Sequence, residues 1–269
     1  MNTYTTRPAA VVGMFYPEDP HTLSRDIDQL LRQFPTENTG IPKALIVPHA
    51  GTIYSGLTAA AAYTQLRPSS AFNEIVLLGP THRIPLIGLG VPSVDAFQTP
   101  LGDIPLETTI IKDLVDQFDC INVSDSSHSE EHALEVQLPF LQRTLDSFSL
   151  IPITVGEVSE EDLGEVIDTL WGDPNRLILI SSDLSHFQPY AEAQKLDLQT
   201  AHLIESFRGS ELSYDSACGR AGIRGLLHVA NDRGMNIERL DLRNSGDTAG
   251  PRDRVVGYGS WGFYEQKGG

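Results

Sequence analysis

Five continuous runs of apolar, largely β-branched residues set the strongest limit on what this chain can fold into. They lie at 43–49 (KALIVPH), 74–80 (EIVLLGP), 149–156 (SLIPITVG), 176–183 (RLILISSD) and 255–264 (VVGYGSWGFY). A strand with one face in water alternates apolar and polar residues, whereas continuous apolarity indicates a strand covered on both faces. Helical patterns separate these runs. We therefore predict an α/β fold, a three-layer α/β/α sandwich around a central mixed, largely parallel sheet.

Caps and apolar spacing mark the helices between these strands. An apolar stripe runs through 19–34, and Ser159 followed by Asp162 resembles a capping box at the start of another helix. The Pro- and Gly-punctuated stretch 84–107 suits short strands or a hairpin at the sheet edge. No linker or internal repeat divides the chain, so we expect a single domain over residues 1–269.

The charge balance and the cysteine count exclude several classes of protein. With 19 Lys+Arg and 36 Asp+Glu the net charge is −17, which repels phosphate backbones and anionic membrane surfaces. Nucleic acid and membranes are therefore not expected partners. Two cysteines without a CxxC motif indicate a reduced, intracellular protein. No apolar segment has the length of a signal peptide or a membrane span, so we expect a soluble, cytoplasmic protein.

Three of the eight histidines stand just past the carboxyl end of a predicted strand. They are His49 in ALIVPHAG, His82 in IVLLGPTH and His186 in LILISSDLSH. If these strands are parallel, their carboxyl ends open at one edge of the sheet, where ligands of open α/β folds bind. A single such histidine would more often be an ordinary polar loop residue. Its repetition after three strands favours a shared site.

Cys218 lies in the segment YDSACGRAGIRGLL, where Ser216 is expected to cap a helix that begins near Ala217. The thiol would then lie at the positive end of the helix macrodipole and close to Arg220, which favours the thiolate. The alternative is a buried cysteine that only packs. Cys120, at the end of a helical pattern, has no such setting and is expected to be structural.

Further polar candidates occur in the segment 125–142 and after the fourth apolar run. His132 and Glu135 are three residues apart on a predicted helix and would share a face toward the crevice. Glu131 at its start is interpreted as a helix cap. Asp183 could orient or deprotonate near His186, or could cap a helix.

Two or three imidazoles and a thiolate are ligands suited to Zn, Fe or Cu rather than Mg or Ca. His49, His82 and Cys218 would leave one coordination position open, as reactive metal sites do. A metal-free site, with Cys218 as nucleophile and His186 or His132 as base, uses some of the same residues. Spacing alone does not separate the two interpretations.

Six motifs in this sequence resemble those of the Memo family, whose prokaryotic members are often named AmmeMemoRadiSam system protein B. They are PHAG…YSG at 48–56, GPTH at 79–82, HALEVQLPFL at 132–141, SSDLSHF at 181–187, ACGR at 217–220 and SGDT…RVVGYGSWGF at 245–263. The motifs follow the family's order and cover nearly the whole chain.

The resemblance implies a fold related to the class III extradiol dioxygenases, which are non-haem iron enzymes. It places the metal ligands on His49, His82 and Cys218, and the additional cleft positions, to which we assign catalytic roles, on His132, Asp183 and His186. Iron is the expected metal, with copper or zinc as alternatives. The dioxygenases have a carboxylate where this family has a cysteine, so ring cleavage does not carry over.

This chain departs from the common family pattern at several positions near the predicted cleft. Thr52 replaces an aromatic residue, Arg83 follows His82, and Ala221 and Gly222 replace a more usual pair ending in proline. None of these changes removes a proposed ligand. Gln137 occupies a position that is histidine in some relatives, and we do not count it as a ligand.

Three functions stay open at this point. The first is a metal-dependent, dioxygenase-like oxidoreductase acting on a small molecule, with His186 and either Asp183 or His132 as acid or base. The second is a non-catalytic module whose cleft holds a metal or a peptide. The family name implies radical-SAM and AMMECR1-like proteins as its associates. The third, a cysteine hydrolase, is disfavoured because no oxyanion-hole motif accompanies Cys218.

Overall fold

A computed structural model describes residues 4–34, 40–67 and 72–266. Its α-helices are α1 (Pro20–Leu31), α2 (Thr52–Tyr63), α3 (Thr108–Gln117), α4 (Asp125–Ser129), α5 (Leu138–Thr144), α6 (Glu160–Trp171), α7 (Tyr190–Glu205) and α8 (Arg220–Asp232). Its strands are β1 (Thr6–Arg7), β2 (Ala44–Val47), β3 (Glu74–Pro80), β4 (Leu89–Val91), β5 (Ala96–Thr99), β6 (Gly102–Pro105), β7 (Ile121–Val123), β8 (Ser149–Val155), β9 (Arg176–Ser181), β10 (His186–Gln188), β11 (Asn236–Asn244) and β12 (Val255–Tyr264).

All five apolar runs form strands of one large mixed sheet, in the order β10-β12-β2-β9-β3-β8-β4-β7, with β11 paired to β12. The strands β2, β9, β3 and β8 are parallel neighbours. One row of paired residues crosses all four, namely Ala44, Ile178, Val76 and Ile151, and each is fully buried. Every residue of β2 and β9 is buried, which requires cover on both faces of the sheet.

Helices provide that cover. The helices α1, α2 and α5 contact one another, and α6 packs against α8, which contacts β3 and β9. The apolar stripe of α1 buries Leu23, Ile27 and Leu31, as its spacing predicts. The Ser159 hydroxyl accepts the Asp162 backbone N–H at 3.0 Å, which confirms the predicted cap of α6. The predicted α/β fold with a helix-flanked mixed sheet is confirmed.

Antiparallel pairing occurs at the sides of the large sheet and in a small second sheet. The strand β4 pairs antiparallel with β8, and β12 pairs antiparallel with β2. The strands β5 and β6 form a hairpin, as the stretch 84–107 predicts, but this hairpin joins β1 in a separate three-stranded sheet. In the part of the chain that the structure describes, no helix is long and apolar enough to cross a membrane.

A buried ion pair fastens the N-terminal segment to the rest of the molecule. Arg7 donates to Glu135 Oε2 at 2.6 Å, and the side chains are 5% and 0% exposed. Glu135 also accepts the backbone N–H groups of Ala10 and Val11 and the hydroxyl of Tyr16, at 2.7 to 2.9 Å. Both carboxylate oxygens therefore have two donors each, and the charge is fully paired.

Candidate metal centre

Two histidines and one cysteine meet at the carboxyl edge of the parallel strands. His49 lies two residues past β2, His82 two residues past β3, and Cys218 two residues before α8. One ligand atom from each lies within 4.8 Å of the other two. His49 Nε2 is 3.3 Å from Cys218 Sγ, and the two imidazole centroids are 5.2 Å apart. This His/His/Cys group could hold a metal ion.

The hydrogen bonds around His49 determine which of its ring nitrogens carries the proton. The Ser181 hydroxyl, at the end of β9, donates to the Ala133 carbonyl at 2.6 Å. A serine hydroxyl has one proton, so at its 2.9 Å contact with His49 Nδ1 the serine oxygen must accept. His49 Nδ1 therefore carries the proton, and its Nε2 presents a lone pair toward Cys218.

Gln137 holds this serine in place. Its Nε2 donates at 2.9 Å to both the Pro48 carbonyl and Ser181 Oγ, while its Oε1 accepts the Tyr63 hydroxyl at 2.8 Å. The Pro48 carbonyl can only accept, so the orientation of the amide is fixed. This positioning role of Gln137 is not visible in the sequence.

Glu131 contacts the Nδ1 atom of His82, as Ser181 contacts the Nδ1 atom of His49. Its Oε1 lies 2.8 Å from His82 Nδ1 and accepts the backbone N–H groups of His132 and Ala133, both at 2.9 Å. Its Oε2 accepts the backbone N–H of His82. Burial raises the pKa of this carboxyl, but the hydrogen bonds from His132 and His82 outweigh burial and hold the pKa far below its usual range. A carboxylate behind a ligating histidine is a common arrangement in metal sites.

A second cluster, formed by His82, Glu131 and His132, also has ligand atoms within 4.8 Å of one another. Three of the four N–H groups around Glu131 lie against Oε1 and one donates to Oε2, so most of the acceptor positions of this carboxylate are occupied. These contacts make Glu131 an orienting group for His82 and for the backbone of residues 132 and 133.

The structure brings His132 and His186 to the same region. The His132 ring lies 4.5 Å from that of His82 and 5.3 Å from that of His49. His186 lines the cleft described below together with His82 and Cys218. The next residue, Phe187, has a φ of 59° and is 60% exposed, an uncommon conformation for an aromatic residue. Catalytic roles for His132 and His186 stay predictions.

Asp183 is buried beside the predicted ligands and contacts two of them. Its Oδ1 accepts the backbone N–H of His49 at 2.8 Å, and its own backbone N–H points at Cys218 Sγ at 3.3 Å. Burial raises the pKa of this carboxyl above its usual range. Asp183 is therefore placed to position the ligand-bearing loops, and its role as an acid or base stays a prediction.

Two local expectations are wrong. The helix α8 begins at Arg220 with Gly219 as its N-cap, and the Ser216 hydroxyl accepts the Ser213 N–H instead of capping α8. Cys218 therefore lies before the helix. Burial and the nearby Asp183 carboxylate raise the pKa of its thiol to about 12, so the helix terminus does not favour the thiolate. A coordinated metal ion would stabilise the thiolate directly.

The second wrong expectation concerns the helix predicted to carry His132 and Glu135. Residues 132–134 are not helical, and a short 3-10 turn over Glu135–Gln137 leads into α5. Glu135 points away from the ligands into the pair with Arg7. Cys120, in contrast, packs against the hydrophobic core, in line with a structural role.

A cleft of about 1180 Å³ opens beside the ligands, and we call it the metal cleft. Its walls include His82, Arg83, His186, Tyr214, Cys218 and Arg220. His49 is 1% exposed and lies beneath the surface. Burial, with the neighbouring His82 and His132, lowers its pKa well below the usual value, so the ring is in the neutral form that binds metals.

Known proteins resemble this chain over almost its whole length. The model of one protein family, described as Memo-like protein, matches residues 7–261. A MEMO1 family protein from Aquifex aeolicus is 36% identical, and the match covers 94% of this chain and 97% of that protein. A MEMO1 family protein from Saccharolobus solfataricus is 34% identical with the same coverage. The crystal structure of an uncharacterized protein from Escherichia coli K12 aligns with a TM-score of 0.50 at 13% identity, over 82% of this chain and 99% of that one.

Proposed function

Because this chain belongs to the Memo family, we propose that it binds one metal ion through His49, His82 and Cys218 and uses that ion on a small molecule. The observation that supports this proposal is the matched hydrogen bonding of the two imidazoles. Ser181 and Glu131 each engage an Nδ1, so each ring keeps its Nε2 as the free nitrogen. Both rings are therefore prepared as ligands by neighbouring groups.

Two imidazoles and a thiolate suit iron, copper or zinc, and we propose iron. The ion would supply redox or Lewis-acid chemistry at the floor of the metal cleft, in a dioxygenase-like oxidoreductase. The chain's own contribution is positioning. Asp183 fixes the backbone of His49, and His186 lies at the cleft wall, where its imidazole can accept or donate a proton.

A second candidate is a non-catalytic module that presents its metal or a bound peptide to radical-SAM and AMMECR1-like partners. Large apolar side chains around the cleft favour it, since Ile87 is 83% exposed, Tyr214 is 78% exposed and Phe187 is 60% exposed. Exposed apolar patches often mark interaction sites. A pull-down that captures neither partner, together with turnover of a small molecule, would reject this candidate.

Metal content after anaerobic purification tests the first proposal. We expect about one equivalent of iron, copper or zinc in the unmodified chain and a large loss in His49→Ala and Cys218→Ser. The matched controls are His202→Ala, an exposed histidine of α7, and Cys120→Ser, and both should keep the metal. Unchanged metal content in His49→Ala would refute the proposed ligand set.

A further inference from the structure

Two arginines stand in the wall of the metal cleft, and the described residues give neither side chain a polar partner. Arg83 directly follows His82, and Arg220 lies two residues after Cys218 at the start of α8. Within the described residues, neither guanidinium has a hydrogen-bond acceptor or a carboxylate at ion-pair distance. Both charges are therefore available to a molecule that enters the cleft.

Most arginines in the described part of this chain, where 36 acidic residues face 19 basic ones, bind a carboxylate or a backbone carbonyl. Arg143, Arg176 and Arg233, for example, each bind a carboxylate of another element. Arg224, which also lines the cleft, donates to backbone carbonyls, including that of Gly209 at 3.2 Å. Arg83 and Arg220 thus place two positive charges beside the proposed ligands in a chain whose net charge is negative.

The acidic groups of the cleft do not cancel these charges. Glu157 and Asp215 belong to the same wall, but neither lies within ion-pair distance of Arg83 or Arg220. The cleft therefore has a locally cationic lining in a molecule whose net charge is −17.

The guanidinium of Arg220 is also placed in a way that suits binding an anion. Its guanidinium carbon lies over the Tyr214 ring, 4.4 Å from the centroid, and this ring is 78% exposed. This cation–π contact engages no hydrogen-bond acceptor, so the N–H groups of the guanidinium stay available. Those groups form a rigid fork that matches the paired oxygens of a carboxylate or a phosphate.

We propose that the metal cleft takes an anionic substrate whose carboxylate or phosphate group binds Arg83 and Arg220. The inference rests on the proposed function only for the position of the reacting end, which would face His49, His82 and Cys218. The anion contacts themselves need only the two arginines. Arg83 also borders a neighbouring cavity lined by Asp125 and Glu130, which would repel the same group and favour the metal cleft.

Calorimetric titration with three matched probes tests this inference. Benzoate and phenyl phosphate carry the two candidate anions, and benzamide is the neutral counterpart. Each is titrated into Zn²⁺-loaded chain and into chelator-treated chain, with metal content measured in parallel. We expect at least one anion to bind both forms more tightly than benzamide, and the better anion identifies carboxylate or phosphate as the preferred group.

Variants assign the binding to the two arginines. Arg83→Gln and Arg220→Gln should each weaken anion binding about tenfold or more, the usual worth of a charge-assisted contact. Arg25→Gln, an exposed arginine of α1, removes the same charge elsewhere and should change the affinity less than twofold. Equal binding of benzoate and benzamide, no binding of either anion, or unchanged affinity in both cleft variants would overturn the inference.

The two proposals fail in different ways. A chain that retains metal but binds neither anion refutes the anionic substrate and leaves the metal centre intact. A chain that takes up no metal but binds an anion through Arg83 and Arg220 refutes the proposed function and leaves the anion site.

Discussion

The Glu135→Gln substitution should destabilise the protein far more than its small chemical change suggests. Each oxygen of Glu135 has two donors, Arg7 and the Ala10 N–H on Oε2, and the Val11 N–H and the Tyr16 hydroxyl on Oε1. Whichever way the new amide turns, its NH₂ group faces two of these donors. The substitution therefore removes hydrogen bonds and leaves the Arg7 charge buried without its counter-charge.

Breaking a buried ion pair by removing one charge costs about 3–5 kcal/mol. Arg7 keeps two backbone carbonyls as acceptors, those of His128 and Glu131, at 2.6 and 2.8 Å. We therefore expect about 3 kcal/mol, near the lower limit, which is a large part of the roughly 5–15 kcal/mol that stabilises a typical domain. The assay is equilibrium urea unfolding followed by circular dichroism and tryptophan fluorescence.

Asp28→Asn provides the matched control. Asp28 binds Arg143 through two contacts at 2.8 and 3.0 Å, but these side chains are 29% and 37% exposed. Exposed pairs contribute less than about 1 kcal/mol, so this variant should unfold almost as the unmodified protein does. A Glu135→Gln loss no larger than that of Asp28→Asn would refute the reasoning from burial.

Three further outcomes follow from single contacts. Ser181→Ala removes the acceptor of the His49 Nδ1 proton and should weaken metal binding about 10- to 100-fold, measured by competition with a chelator. Unchanged metal affinity would show that the tautomer assignment is wrong. Phe187→Gly relieves a φ of 59° and should raise the free energy of unfolding by up to about 1 kcal/mol, so a decrease would contradict the strain. Burial raises the pKa of Asp197 from 3.8 to about 6, so its protonated form favours the folded state, and this stabilisation is lost as pH rises from about 4 through 6. Asp197→Asn should remove this pH-dependent loss of stability and should unfold at a higher urea concentration than the unmodified protein at pH 7. A variant that is less stable at pH 7 would contradict the raised pKa of Asp197.

The strands of the sheet could be predicted because each is apolar throughout, so it can be recognised without knowing which strand it pairs with. The run at 255–264 matches β12 residue for residue, and 74–80 matches β3. The start of α8 could not be predicted in this way. Before it, the Gly219 N–H binds the Ser182 hydroxyl and the Cys218 N–H binds the Asp183 carbonyl, so tertiary contacts override the local cap signal.

His49 and His82 could be placed together because parallel strands end at one edge of a sheet, whereas Cys218 follows no strand and entered the predicted ligand set through its chemistry and the family resemblance. The residues that prepare those ligands could not be found. Glu131 is 49 positions from His82, and Gln137 is 44 positions from Ser181. No local pattern connects residues at such separations, and only the folded chain shows that Glu131 supports a ligand where its position suggests a cap.

The placement of β12 has a mechanical consequence. This strand lies within the large sheet between β11 and β2, and it also pairs with β10. Gly257 in it donates to the Ser185 carbonyl at 2.8 Å, next to His186. The same strand therefore contacts both the strand that leads to His49 and the segment that carries His186, so a displacement of β12 would move His49 and His186 together.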